Sequence, residues 1–123
     1  MSYQKRIREL QTKFPFDRWH SYLEEDGLTQ YTQENCSRAF AILKNQLSSL
    51  IALGEDASES EKLATFQIAV EALNDLNSEV GSFIETGERE DLCELFNKIA
   101  TAAGLEISKY GSGEGPASEW RDW

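Results

Sequence analysis

Apolar residues recur at helical spacing from the beginning of the chain. Tyr3, Ile7, Leu10 and Phe14 follow one another at intervals of three and four residues, which places them on one face of a helix. Pro15 disfavours helical geometry in the residue before it. The pattern therefore predicts a first helix that ends before Pro15.

Two further helices follow. Asp17 is placed to cap a short second helix that stops at Asp26-Gly27, and a third helix begins near Thr29 or Thr32 and ends at Gly54. The apolar positions of both helices keep helical spacing: Trp19, Tyr22 and Leu23, then Cys36, Ala39, Phe40, Leu43, Leu47, Leu50 and Ile51.

The second half of the chain predicts a fourth and a fifth helix. Ser58 and Glu61 have the spacing of a capping box, in which each residue's side chain satisfies the other's backbone N–H. Gly81 permits a break, after which Phe83-Ile84 form a short extension, and Thr86 caps the fifth helix. The two apolar stripes are Leu63, Phe66, Val70, Leu73, Leu76 and Val80, then Leu92, Leu95, Phe96, Ile99, Ala100 and Ala103.

The predicted fold is all-α, an antiparallel bundle of four to five helices. No stretch alternates at a period of two for long enough to predict a strand, and residues 105–110 come nearest. A chain of 123 residues fits one domain. We expect residues 1–110 to form the bundle. Residues 111–123 are expected to form a flexible Gly-rich link and a Trp-containing tail packed on the same domain.

The sequence offers little catalytic chemistry. It has one histidine, His20, without the second histidine or neighbouring cysteine that a transition-metal site requires. Cys36 and Cys93 lie far apart in helical patterns, which favours two small buried side chains over a disulfide. No phosphate-binding glycine loop or calcium-binding loop occurs. We therefore expect no catalytic residues, no cofactor, no bound metal and no enzymatic activity.

Charge is distributed unevenly along the chain. The net charge is −10; residues 1–50 hold seven Lys/Arg and six Asp/Glu, and the remaining residues hold five Lys/Arg and sixteen Asp/Glu. The surplus of negative charge in residues 51–123 attracts basic surfaces and repels nucleic acid and anionic membranes. We expect a cytoplasmic protein whose partner is a protein with a basic surface. The alternative is that the charge only keeps the surface solvated.

The candidate binding residues are mainly carboxylates. Five of them lie within ten residues around the start of the fifth helix: Glu85, Glu88, Glu90, Asp91 and Glu94. Carboxylates in a first turn complement the helix dipole, but this reason does not require five. Asp56 and Glu59, near the start of the fourth helix, extend this surface only if both helix N-termini lie at the same end of the bundle.

Two tryptophans lie close together in the C-terminal segment. Trp120 and Trp123 are three residues apart, so a helical turn would place them on one face. They either fold back onto the apolar end of the bundle or anchor a partner, since Trp is enriched at interface hot spots. The first alternative is favoured.

The size, the acidic charge, the helical class and the final Glu-Trp-Arg-Asp-Trp segment resemble those of immunity proteins from bacterial polymorphic toxin systems, including contact-dependent growth inhibition. The resemblance implies a cytoplasmic inhibitor that forms a 1:1 heterodimer with a toxic domain, often a nuclease, and covers its basic cleft. Two alternatives share these features. One is a phage-type acidic nucleic-acid mimic that inhibits a nuclease or CRISPR effector, and the other is a helical adaptor without an inhibitory role.

Overall fold

The computed structural model describes residues 2–26, 31–81 and 83–123, without the side chains of residues 23–26. It contains five α-helices and no strand within these residues, which confirms the predicted all-α class. Four short 3₁₀ turns, at 10–13, 107–109, 111–113 and 116–119, complete the chain. The helices are α1 (Tyr3–Glu9), α2 (Phe16–Asp26), α3 (Gln33–Leu53), α4 (Glu59–Val80) and α5 (Thr86–Ala102).

Most helix ends follow the local sequence. The predicted cap of α2 is wrong, because the helix begins at Phe16 and Asp17 lies within its first turn. The Thr32 side chain accepts a hydrogen bond from the Asn35 N–H at 3.1 Å and starts α3. The capping box of Ser58 and Glu61 is present at the start of α4. Gly54, with φ +86°, ends α3 in a backbone conformation that side-chain-bearing residues rarely adopt. The Leu23 side chain and the alternative boundaries at Gly27 and Thr29 lie outside the described residues.

Two local predictions between α4 and α5 are wrong. The cap of α5 is Glu85 and not Thr86, because the Glu88 carboxylate accepts a hydrogen bond from the Glu85 N–H at 3.2 Å. Phe83 and Ile84 do not extend a helix. Both are buried in the turn, where the Ile84 N–H donates to the Asn77 side-chain oxygen at 2.7 Å.

The three long helices run antiparallel to their neighbours in sequence. An ion pair between Arg38 and Glu79 joins the start of α3 to the end of α4. Ala103, just beyond α5, accepts a hydrogen bond from Lys62 in the first turn of α4. The up-down order therefore places the N-termini of α4 and α5 at opposite ends of the bundle.

A cluster of aromatic rings with a buried centre holds α2, α3 and the α4–α5 turn together. Trp19 is at its centre with no exposed surface. Ring centroids in contact lie 5.2–6.1 Å apart, mostly edge to face, which is a favourable geometry for aromatic pairs. The other rings are those of Phe14, Phe16, Tyr22, Tyr31, Phe40 and Phe83.

A buried cation closes the opposite end of the bundle. Lys62 is only 6% exposed, and its ammonium donates to the carbonyl oxygens of Glu55 at 2.6 Å and Ala103 at 2.8 Å. It also lies 5.3 Å from the centre of the Tyr3 ring. A cation at a helix C-terminus is stabilised by the helix dipole, so Lys62 ties the end of α5 to the start of α4.

We expect Lys62→Met to lower the free energy of unfolding by about 2–3 kcal/mol, because two buried carbonyl oxygens lose a charged donor. Lys109→Met is the matched control, since its exposed ammonium pairs only with Glu106 at 3.5 Å; we expect it to cost less than about 0.5 kcal/mol. Urea unfolding followed by circular dichroism measures both. Equal stabilities of the two variants would contradict the role given to Lys62.

Candidate partner-binding surface

Three of the five candidate binding carboxylates around the start of α5 are bound to other groups of the same chain. Glu88 is buried and caps the helix. Asp91 accepts a hydrogen bond from the Trp19 indole N–H at 2.9 Å and pairs with Arg18 at 2.6 Å. Glu94 pairs with Lys98, one turn further along α5, at 3.3 Å. Glu85 and Glu90 are exposed and form no ion pair within the described residues.

The joint acidic surface with Asp56 and Glu59 does not form. Both side chains are exposed near the start of α4, at the end of the bundle where Lys62 contacts Ala103. The α5 carboxylates begin at the far end of a helix of 17 residues, about 25 Å long. The antiparallel connection therefore separates the two acidic groups.

The C-terminal tail, residues 111–123, packs on the bundle of its own chain. Trp123 is 9% exposed and belongs to the hydrophobic core, and Trp120 is partly buried against it. The Asn74 carboxamide of α4 donates to the Trp120 carbonyl oxygen at 2.9 Å and accepts from the Asp122 N–H at 3.1 Å. The two tryptophans do not share a helical turn, since the last 3₁₀ turn ends at Glu119.

The glycine-rich segment of the tail has a specific conformation against α5. The Asn97 carboxamide donates to the Glu114 carbonyl oxygen at 3.0 Å. Gly115 has φ +118°, and a Cβ atom there would lie 1.9 Å from the Asn97 side-chain oxygen. Only glycine fits this close approach. The tail thus lies between α4, at Asn74, and α5, at Asn97.

The tail brings together carboxylates from three parts of the chain. We call this surface the tail face. One of its cations already has a partner, because Arg121 lies 3.7 Å from Glu114. Its cations are Arg89 and Arg121. Its exposed carboxylates are Glu71 and Asp75 on α4, Glu90 on α5, and Glu114, Glu119 and Asp122 in the tail. Glu94 and Lys98 lie instead beside Lys13 and Arg18, on another side of α5.

Sequence reasoning missed most of the tail face. Glu71 and Asp75 are one turn apart on α4, a spacing that predicts a solvated helix face and nothing more. Their proximity to Asp122 depends on the Asn74 carboxamide, which binds the tail backbone on both sides of Arg121. No spacing in the sequence pairs Asn74 with the tail. The signal that the sequence did offer is the close spacing of Trp120 and Trp123, which indicates that the tail packs on something.

Sequence reasoning also missed a cavity that holds a cysteine, a histidine and an acid. Asp17 and His20 on α2 line a space of about 250 Å³ with Cys36 on α3. Burial, and then the charge of Asp17, raise the pKa of the Cys36 thiol to about 11. A thiol with this pKa is protonated at neutral pH, and the nucleophile is the thiolate. The arrangement therefore does not activate Cys36.

No family model, curated protein or solved structure matches this chain. Residues 2–26, 31–81 and 83–123 contain no group of three or more His, Cys, Asp or Glu side chains placed to hold a metal ion. Within the same part of the chain, no helix is long and apolar enough to cross a bilayer.

We expect Asp91→Ala to lower the free energy of unfolding by about 1–3 kcal/mol, because it leaves the buried Trp19 N–H without an acceptor. Glu90→Ala, at the neighbouring exposed position, should change it by less than about 0.5 kcal/mol. Thermal or urea unfolding measures the stabilities of the two variants. If Asp91→Ala were as stable as Glu90→Ala, Asp91 would be free for a partner and our interpretation of it would be wrong.

In a Cys93→Ser variant, we expect the remaining thiol, Cys36, to titrate near pH 11, where its pKa lies. Since this folded-state pKa is above that of an unfolded chain, about 8.5, the thiol's contribution to stability is present below that value and is lost as the pH rises toward 11. Ultraviolet absorbance of the thiolate, with circular dichroism to confirm folding, measures the midpoint. A midpoint at or below the ordinary value would show an exposed or activated thiol.

Proposed function

We propose that this chain binds a protein partner with a basic surface and neutralises it, as immunity proteins of polymorphic toxin systems do. The proposed partner is a toxic nuclease domain, whose substrate cleft is basic because it must bind phosphate groups. An acidic protein covering that cleft would exclude nucleic acid from it. The proposed complex has one partner per chain.

The tail face is the observation that supports this proposal. It presents six exposed carboxylates against two cations, Arg89 and Arg121. Such a surface steers a basic partner into encounter and disfavours approach by nucleic acid. The tail face therefore has a surplus of negative charge that persists after the ion pairs within the chain have formed.

Trp120 gives this surface an apolar contact. It is partly buried, and its backbone is held by Asn74, so its position is fixed before any partner arrives. Trp is enriched at interface hot spots, and its ring can accept a Lys or Arg side chain. Trp123 is buried, so in the proposal it supports Trp120 and does not contact the partner.

The α5 carboxylates have different parts in this proposal. Glu90 lies two turns before Asn97 on the exposed side of α5, and Asn97 holds the tail, so Glu90 borders the tail face. Glu94 pairs with Lys98 beside Arg18 and lies away from the tail. Glu85 lies at the N-terminal end of α5, where it caps the helix. Glu88 and Asp91 act through the fold, because each is engaged within the bundle.

The resemblance to immunity proteins implies that the partner is the toxin domain of a neighbouring gene, so the product of the adjacent gene is the test ligand. We expect the double variant Glu71→Lys/Glu90→Lys to bind this product about 10-fold more weakly, or about 1.4 kcal/mol. The two residues flank the tail from α4 and α5, and neither forms an ion pair within the described residues. The weakening should appear mainly in the association rate and should shrink as salt is added. Titration calorimetry and surface plasmon resonance on purified proteins measure both quantities.

The matched control is Asp56→Lys/Glu59→Lys, which changes the net charge equally at the other end of the bundle. We expect less than about a 3-fold effect from it, through long-range steering alone. The basic residues of α1, Lys5, Arg6 and Arg8, would not serve as a control set, because Arg6 binds Glu55 and the Ala102 carbonyl oxygen. Equal weakening by both pairs would show that only overall charge matters. No binding by the wild-type chain would overturn the proposal.

A further inference from the structure

The C-terminal tail is held together by its own hydrogen bonds. The Gly111 N–H donates to the Glu119 carboxylate at 2.6 Å. The Arg121 N–H donates to the Ala117 carbonyl oxygen at 3.0 Å, and the Arg121 guanidinium lies 3.7 Å from Glu114. These contacts join the first part of the tail to its last part, so neither part can leave the bundle without disturbing the other.

Few polar contacts attach the tail to the helices. Among the described residues, its hydrogen bonds to the helices all involve two side chains, Asn74 on α4 and Asn97 on α5. In the same part of the chain, no main-chain hydrogen bond and no ion pair links the tail to a helix. The tail is therefore bonded within itself and anchored at two points.

A buried donor opposes the docked position of the tail. The Trp123 indole N–H is buried without a hydrogen-bond partner among the described residues. The hydroxyl group of Tyr110, the residue just before the tail, is in the same condition. Water satisfies such groups when they are exposed, so burying them unpaired costs free energy. Undocking of the tail returns the Trp123 N–H to water.

Like charges also oppose the docked position. The tail and the helices each contribute three carboxylates to the tail face, against two cations. Asp122 of the tail donates its N–H to the Asn74 side chain, and Asp75 is the next residue of α4. Carboxylates from the two sides thus lie close together, and their repulsion is relieved when the tail moves away.

Apolar contact holds the tail in place against these costs. Pro116, Ala117 and Trp123 are buried when the tail is docked. Gly115 approaches the Asn97 side chain without a Cβ atom between them. A segment with few polar anchors, an unpaired buried donor and like-charged neighbours belongs to the part of a structure that opens below the free energy of global unfolding.

We propose that the tail is a strap that opens and closes as one unit, pivoting at Tyr110, while the helices stay folded. The Tyr110 carbonyl oxygen accepts hydrogen bonds from the Gly113 and Gly115 N–H groups, both at 3.0 Å. This carbonyl group therefore moves with the strap, and the rotation falls just before it. The closed state predominates, and it is the state described above.

Opening of the strap dismantles the tail face, because it withdraws Trp120 and the three tail carboxylates from α4 and α5. The closed state is therefore the one that binds a basic partner. A partner that neutralises the carboxylates relieves their repulsion and shifts the strap further toward the closed state. This consequence rests on the proposed function, whereas the motion itself does not.

Cys93 provides a reporter beside the strap. It lies one turn before Asn97 on α5 and is partly buried. Burial raises the pKa of its thiol, and the Arg121 charge of the tail acts against that rise from nearby. A partly buried thiol with a raised pKa reacts slowly. Opening of the strap uncovers this thiol, so the rate of its alkylation by iodoacetamide measures opening.

Alkylation of Cys93 in the full chain, followed by mass spectrometry of its peptide, tests whether the strap moves as one unit. We expect Asn74→Ala to speed the alkylation about 10-fold, because it removes the anchor on the other helix. Asn45→Ala, the same substitution at an exposed position of α3, should change the rate less than about 2-fold. Equal rates for Asn74→Ala and the wild type would show that the Asn97 side stays closed by itself, and would overturn the proposal.

Two glycines give a second, matched pair of variants. A Cβ at Gly115 would lie 1.9 Å from the Asn97 side-chain oxygen, whereas a Cβ at Gly113 meets nothing within 4 Å. Both residues have positive φ, +118° and +92°, so alanine is strained at both positions and only Gly115→Ala blocks docking. We expect Cys93 to react at least about 10-fold faster in Gly115→Ala than in Gly113→Ala.

Hydrogen exchange of α3 and α4 checks that the bundle stays folded in both variants. Protection of these helices should be equal in Gly113→Ala and Gly115→Ala. If their protection fell in parallel with the exposure of Cys93, the tail would open only by global unfolding and the strap would not exist.

Binding of the adjacent gene product separates the strap from the proposed function. We expect Gly115→Ala to bind this product at least about 10-fold more weakly than Gly113→Ala, because its closed state is depopulated. Equal affinities alongside different alkylation rates would contradict the control of binding by the strap. No binding by the wild type would overturn the proposed function and leave the strap standing on the alkylation rates.

Discussion

One buried ammonium group joins the start of α4 to the end of α5. Lys62 joins the loop before α4, through the Glu55 carbonyl oxygen, to the residue after α5, through the Ala103 carbonyl oxygen. Arg6 of α1 binds the neighbouring Ala102 carbonyl oxygen. Two cations thus neutralise the negative end of α5. The antiparallel order of α4 and α5 determines which carboxylates can lie close together, because it places the start of α5 at the end of the bundle opposite to the start of α4.

Folding redistributes the charge that is so uneven along the chain. Three arginines of the first fifty residues bind carboxylates of the remainder, in the pairs Arg6–Glu55, Arg18–Asp91 and Arg38–Glu79. Such exposed pairs stabilise the fold little, but they cancel charge locally. The acidic half is therefore not uniformly acidic in space. The surplus remains where no N-terminal arginine reaches, and the tail face is one such place.

The sequence predicted the helices of this fold better than the contacts between them. Caps and stops such as Thr32, Gly54 and Ser58 act within a few residues, so the sequence alone revealed them. The hydrogen bond from Trp19 to Asp91 spans 72 positions, and nothing local distinguishes Asp91 from a solvated carboxylate. The same limit applies to the candidate site: the α5 carboxylates were visible as a run, whereas the contribution of α4 depends on how Asn74 binds the tail.

The two flanks of α4 are covered differently. On one flank the tail fills the groove toward α5, because Gly115 lets its backbone approach Asn97 so closely. That filling buries Trp123 and leaves carboxylates outside. On the other flank no described segment is available, and Ile68 stays exposed beside an uncharged groove. The flank that the tail covers is thus the one that presents carboxylates around a fixed tryptophan, which suits a partner of opposite charge.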